Sequence, residues 1–322
     1  MKNIVVLTTG GTISTKRGPQ WSGAVPLLKG DDFLAMLPRG EYNVTFQDFT
    51  NLPSSHITPT MALDLAQRIG SILLGDADGV VVTHGTDTLE ESAYLCDLQI
   101  DSPKPVVFTG SMRIATDVGY DGVSNLSGAV RAAASPLTHN LGVLVAFNDR
   151  LYAASAVQKI DSQSPDAFDA PGAGPVGTLT GNQVRVVSQP TGRQYIPCSR
   201  LAERIDLIVA AQGADDRQLR ASIDGNASGI VIAALGGGRV PPWWLPAIQE
   251  GLSRRLPVVV TTRCLTGICH DDYGYVGEYH DLKRLGVLFA QGQSPVKARI
   301  KLMVALGASQ TPQELREWFA DS

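Results

Sequence analysis

Short apolar runs rich in β-branched residues recur through the first half of the chain, and stretches with helical spacing separate them. Ile4–Leu7, Thr45–Phe49, Val80–Thr83, Val106–Thr109 and Leu141–Phe147 read as strands. Leu63–Leu74, Thr88–Leu98 and Ser124–Ala134 carry the spacing of helices. The strand runs are continuously apolar, as strands covered on both faces are. Their alternation with helices predicts a mainly parallel sheet with helices on both faces.

The pattern breaks over residues 170–203. APGAGPVGTLTGNQ and SQPTGRQYIPCSR are rich in Gly, Pro and polar residues, as a pair of hairpin strands and a linker would be. Alternation then resumes with strands at Ile205–Ala210, Gly229–Ala234 and Val258–Thr261. Helices are expected near Asp215–Ile223, Trp243–Ser253, Pro295–Leu306 and Pro312–Phe319. The fold class is therefore α/β with two domains: a larger one over residues 1–190, a linker over 191–203 and a smaller one over 204–322.

Composition narrows the partners. With 43% hydrophobic and 18% charged residues the chain has the makings of a packed core, and a net charge of −4 offers no attraction to nucleic acid or an anionic membrane. No apolar run approaches the roughly 20 residues of a membrane span. Met1 leads directly into the first strand without a signal-peptide h-region, which predicts a cytoplasmic protein. A small molecule or another protein is left as the partner. Cys96, Cys198, Cys264 and Cys269 read as reduced thiols. Cys264, Cys269 and His270 match no familiar zinc spacing, so no metal is expected.

Ligands of open parallel sheets bind beyond the carboxyl ends of the strands. Four loops are placed there: TTGGTIST, PSSHITP, THGTDT and TGSMR, all crowded with hydroxyls. The first lacks the third glycine or the lysine of a phosphate cradle. Its paired glycines instead permit a sharp turn that exposes Thr12. In the third loop, Asp87 with Glu90 three residues on has the form of a capping box. Thr86 and Asp87 stand at the mouth of the sheet in either case. Lys159 follows the small, apolar ASAV in what reads as a strand, where desolvation would lower its proton affinity and suit it to act as a base.

TTGGTIS, VVVTHGTDTLEES, PVVFTGSMR and the lysine of AVQK, in that order, resemble the bacterial-type L-asparaginase/glutaminase family. The likeness extends through SPVKARIKLMVAL near the C-terminus. It implies hydrolysis of the side-chain amide of L-asparagine, and more weakly of L-glutamine, with no cofactor and no metal. Carried over residue by residue, it makes Thr12 the nucleophile and Thr86, Asp87 and Lys159 its catalytic partners. Gly11, Ser54, Ser55, Gly85 and Ser111 would line the substrate pocket. An active-site lid is expected over residues 15–30, and a homodimer or homotetramer with sites at the interface.

This chain departs from the resemblance at two places. The better-known members carry a lid tyrosine, whereas no tyrosine occurs here between Thr12 and Tyr42, and Trp21 is the sole aromatic of residues 15–30. Where those members borrow a glutamate from a neighbour, CLTGICHDDYGYVG offers Tyr273 and Tyr275, which are candidate interface contributors. The departures leave two alternatives beside an asparaginase: a broader small-amide hydrolase with glutaminase activity, or a non-catalytic sensor of asparagine or aspartate. A tRNA-dependent amidotransferase subunit would be expected to carry an extra N-terminal domain, and this chain starts at its first strand. Trp243 and Trp244 are read as packing residues rather than interface anchors.

Overall fold

A computed structural model describes residues 1–17, 23–26, 28, 30–37 and 42–320. Of the expected lid, residues 18–22, 27 and 29 lie outside the described residues, Trp21 among them. The chain divides into two compact units, Met1–Tyr195 and Ile196–Ser322.

Twelve strands of the first unit are described: β1 (Lys2–Thr8), β2 (Thr15–Arg17), β3 (Ala24–Pro26), β4 (Tyr42–Asp48), β5 (Gly79–Thr83), β6 (Val106–Thr109), β7 (Val143–Phe147), β8 (Arg150–Ala153), β9 (Gln158–Lys159), β10 (Phe168–Asp169), β11 (Gly177–Thr180) and β12 (Gln183–Val186). Between them lie α1 (Gly30–Met36), α2 (Pro59–Leu73), α3 (Leu89–Gln99) and α4 (Gly122–Ala134). The main sheet runs β12-β11-β8-β7-β6-β5-β1-β4. Neighbours from β4 to β7 are parallel, and β8, β11 and β12 extend that edge antiparallel.

The antiparallel edge has a local cause. Asn148 and Asp149, both at positive φ (47° and 60°), close a two-residue hairpin between Phe147 and Arg150. Such a primed turn matches the twist of the flanking strands and reverses the chain. The hairpin expected after residue 170 is β11–β12, turning at Gly181 and Asn182.

Alternation along the strands divides the core. Ile4, Val6, Val81, Val107, Leu144 and Ala146 pack with Leu126, Ala129, Val130 and Ala133 of α4 in one cluster. The helix pair α2 and α3 packs on the same strands. Helix α2 begins at Pro59, four residues ahead of the periodic signal. Thr58 caps it by accepting from the Met61 N–H, and Pro59 suits the first helical position.

The second unit holds a parallel sheet, β13 (Ile205–Val209), β14 (Gly229–Ala234), β15 (Val258–Thr262) and β16 (Leu288–Phe289), in that order. Its described helices are α5 (Arg217–Asp224), α6 (Leu245–Ser253), α7 (Tyr279–Leu285), α8 (Pro295–Ala308) and α9 (Pro312–Ala320). Ile208, Ile232 and Val260 pack with Leu219, Ile223, Trp244 and Ile248. The indoles of Trp243 and Trp244 both donate to the Ala214 carbonyl, at 2.7 and 2.9 Å. Trp244 is buried within this core, and Trp243 is half exposed. The two-domain α/β architecture expected from the sequence is the one observed.

Candidate active site

The loops leaving β1, β4, β5 and β6 meet at the carboxyl edge of the first sheet, and glycines let them meet backbone to backbone. Gly11, at φ 83°, has no room for a side chain: a Cβ there would fall 2.5 Å from the Cα and N of Gly85. A Cβ on Gly85 would fall 2.7 Å from the Ser54 hydroxyl oxygen, and one on Gly110 would fall 2.5 Å from the His84 carbonyl oxygen. Hydrogen bonds tie the same loops, Leu52 N–H to the Thr9 carbonyl (3.0 Å) and His84 N–H to that of Thr109 (2.8 Å).

Thr12 opens a single 3-10 turn, Thr12–Ser14. The Gly11 carbonyl anchors this turn by accepting from the Ser14 N–H (3.1 Å) and the hydroxyls of Ser14 (2.9 Å) and Thr15 (2.8 Å). Thr12 itself is half-buried, and its hydroxyl has no hydrogen-bond partner among the described residues.

Beside it lies a bonded trio. The Lys159 ammonium donates to Thr86 Oγ1 at 2.9 Å and to Asp87 Oδ1 at 2.8 Å. Thr86 is buried, Lys159 is largely covered, and Asp87 keeps 69% of its side chain exposed. With one partner in solvent the ion pair contributes little stability, so its effect is geometric. An oxygen that accepts from an ammonium leaves its own proton free for another acceptor, and the adjacent cation favours releasing that proton.

Lys159 is carried by β9, paired to Phe168 of β10, and its backbone N–H donates to Glu90 Oε2 at 3.2 Å. The capping-box reading of Asp87 and Glu90 does not hold. Helix α3 starts at Leu89 behind Thr88 with no side-chain cap. Both carboxylates are drawn to Lys159 instead, a tertiary partner that outweighs the local cap.

Ser54 is buried, and its Oγ accepts from the Asp87 N–H at 3.2 Å. Its carbonyl accepts from the Thr88 hydroxyl at 2.8 Å. Ser55, the next residue, is exposed. Ser111 is buried, and its hydroxyl is turned into its own loop, donating to the Arg113 carbonyl at 2.8 Å. Tyr273 and Tyr275 belong to the second unit. Both are exposed, their rings lie 5.6 Å apart, and Tyr273 covers the Arg239 guanidinium. No group of three His, Cys, Asp or Glu side chains that could hold a metal ion occurs among the described residues.

Sequence reasoning passed over three supports of this site. His84 is fully buried. Its Nδ1 bonds the Gly85 carbonyl at 2.8 Å, and Nε2 has no partner among the described residues. Burial holds its imidazole down from 6.5 to about 4, against the opposing pull of the Gly85 bond. It is therefore neutral near pH 7, with the proton assigned to Nδ1 because a carbonyl can only accept. Asp121 accepts from the Met112 and Arg113 N–H groups, both at 3.0 Å. Asn125 donates to the Gly110 carbonyl at 3.0 Å. The four-residue spacing of Asp121 and Asn125 at a helix start was the available signal.

A parallel sheet whose carboxyl-edge loops gather hydroxyls, a lysine and a carboxylate around one turn defines an α/β protein with a hydrolase-like site. Residues 3–192 match the family described as Asparaginase, N-terminal, and residues 204–319 match Glutaminase/Asparaginase C-terminal domain. An L-asparaginase of Bacillus licheniformis is 34% identical over 310 residues, which are 95% of this chain and 96% of that one. A probable L-asparaginase of Deinococcus radiodurans is 36% identical over 324 residues, 99% of this chain and 97% of that one. Among solved structures, a probable cytoplasmic L-asparaginase from Campylobacter jejuni superposes with a TM-score of 0.90 at 30% identity, covering 100% of both chains. The chain belongs to the asparaginase family.

Proposed function

We propose that this protein is an L-asparaginase that hydrolyses the side-chain amide of L-asparagine to L-aspartate and ammonia. The observation that carries the reading is the Lys159 ammonium bridging Thr86 and Asp87 beside a turn whose Thr12 hydroxyl has no partner among the described residues. Thr12 Oγ attacks the carboxamide carbon and its proton passes to the leaving nitrogen. The C–N bond breaks to release ammonia and an ester on Thr12. Water then cleaves that ester, giving the free acid and restoring the hydroxyl. Thr86, held by Lys159, relays the protons.

The N–H groups of Gly11 and Thr86 receive the oxyanion, for which one donor is worth about 10²–10³ in turnover. The exposed carboxylate of Asp87 takes the substrate α-ammonium, while Ser54 and the Gly85 region face its α-carboxylate, with Ser55 and Ser111 as further pocket positions. Asparagine is the preferred substrate over glutamine. The protein works in the cytoplasm as a homo-oligomer. The likeness to the probable cytoplasmic L-asparaginase of Campylobacter jejuni supports the first point. Exposed Leu265, Ile268, Tyr273, Tyr275 and Val276, crowded into one loop of the second unit, support the second.

The test is ammonia release from asparagine and from glutamine by the wild type, Thr12→Ala and Lys159→Met. Thr12→Ala is expected to lose at least about 10³-fold and Lys159→Met about 10²-fold, with asparagine the better substrate. Wild-type turnover by Thr12→Ala would remove the nucleophile assignment.

A further inference from the structure

The Thr12 turn is held from an unexpected direction. The Tyr120 hydroxyl donates to the Ile13 carbonyl at 2.6 Å, across 107 residues of chain. Ile13 is fully buried in the middle of the 3-10 turn, so this carbonyl has no solvent to fall back on. Two further bonds join the same pair of segments. The Ala115 N–H donates to the Thr15 carbonyl at 2.9 Å, and the Arg17 N–H donates to the Thr116 hydroxyl at 3.3 Å.

Tyr120 is itself fixed. Its ring packs against the first unit's core and lies across Gly122, where a Cβ would come within 2.3–2.6 Å of the phenol carbons and oxygen. Next to it, the Asp121 carboxylate clamps the Met112 and Arg113 N–H groups. One short segment before α4 thus organises two of the loops that form the site. Burial, with the Asp121 charge adding to it, raises the Tyr120 pKa above its ordinary value, so the phenol remains a donor throughout the neutral range.

We propose that Tyr120 is a positioning residue for Thr12, fixing the turn that carries the hydroxyl by its bond to the Ile13 carbonyl. This rests on Thr12 being the nucleophile. Attack needs its oxygen within a narrow range of distance and angle, and a misplacement of about 1 Å can cost about 10²-fold in rate. Substrate binding draws on other groups of the pocket and is affected less.

Two variants test it. Tyr120→Phe keeps the ring over Gly122 and deletes the donor. Gly122→Ala keeps the phenol but drives it from its place, while alanine by itself favours the helix. Turnover and KM are measured per folded molecule, with the folded fraction taken from circular dichroism. Both variants are expected to lower kcat about tenfold and to leave KM within about twofold. Unchanged kcat per folded molecule in either variant overturns the proposal, because a structural role alone would change only the folded fraction. Thr12→Ala is assayed alongside. If it stays active, the nucleophile assignment fails. If it is inactive while Tyr120→Phe turns over like wild type, the positioning role alone fails.

Discussion

Acidification is expected to weaken the wild-type protein more than a His84→Asn variant. Burial holds the His84 imidazole from 6.5 down to about 4, and among the described residues Nε2 finds no partner that would welcome a proton. Between those two values the unfolded chain takes up a proton that the folded chain refuses. Stability therefore falls as the pH drops through this window, and above it the imidazole is neutral in both states and contributes nothing. At about 1.36 kcal/mol per pH unit, the loss from this one group is about 2 kcal/mol at about pH 5 and about 3 kcal/mol at about pH 4. It grows no further once the folded form also protonates.

Asparagine presents an amide N–H where the imidazole Nδ1–H stands, so the bond to the Gly85 carbonyl survives and the titration does not. The smaller side chain leaves a cavity whose cost is the same at every pH. The assay is urea unfolding followed by far-UV circular dichroism at a series of pH values. Carboxylates titrate alike in both proteins and cancel in the difference. The reasoning is refuted if that difference stays flat from about pH 7 to about pH 4, since His84 would then be charged, or hydrated, inside the folded protein.

Gly11→Ala adds a methyl at φ 83° against the Gly85 backbone, and should cost at least about 1 kcal/mol together with most of the activity. Gly70→Ala, in α2 with nothing within 4 Å of the added carbon, should instead raise stability by about 0.5–1 kcal/mol. Thermal melts and ammonia release on the two variants check both, and a harmless Gly11→Ala would contradict the packing of the loops. Sedimentation equilibrium should give a multiple of the 34.2 kDa chain mass, reduced by serine at Leu265, Ile268 and Tyr275. A monomer at micromolar concentration would remove the homo-oligomer reading.

What could be read from the sequence followed from local order. The apolar runs located the principal strands because strands buried on both faces leave an unbroken signature. Gly10–Gly11 announced a turn at Thr12, and the turn is there at φ 99° and 83°. Long-range partners were out of reach. The capping-box reading failed because Lys159, about 70 positions away, claims Asp87 and bonds Glu90. His84 looked like one polar loop residue among several, since only the packed sheet and Phe108 make its site dry. Tyr120 sits in a segment with no period, and nothing near it in sequence points to Ile13. ASAV, which reads as a strand before Lys159, is a turn, and Lys159 instead lies on the two-residue strand β9.

The two indoles that share the Ala214 carbonyl have an optical consequence. Of the chain's four tryptophans, Trp243, Trp244 and Trp318 belong to the second unit, and only Trp21 belongs to the first. Intrinsic emission therefore reports mainly on a unit that carries none of the proposed catalytic residues, while far-UV circular dichroism reports on both. Coincident melting curves from the two signals would show the units unfolding together, and separated curves would give each its own transition. Replacing the three tryptophans of the second unit with phenylalanine would leave Trp21 as a lone emitter. Any spectral change on adding substrate would then come from the first unit, within the segment that follows the Thr12 turn.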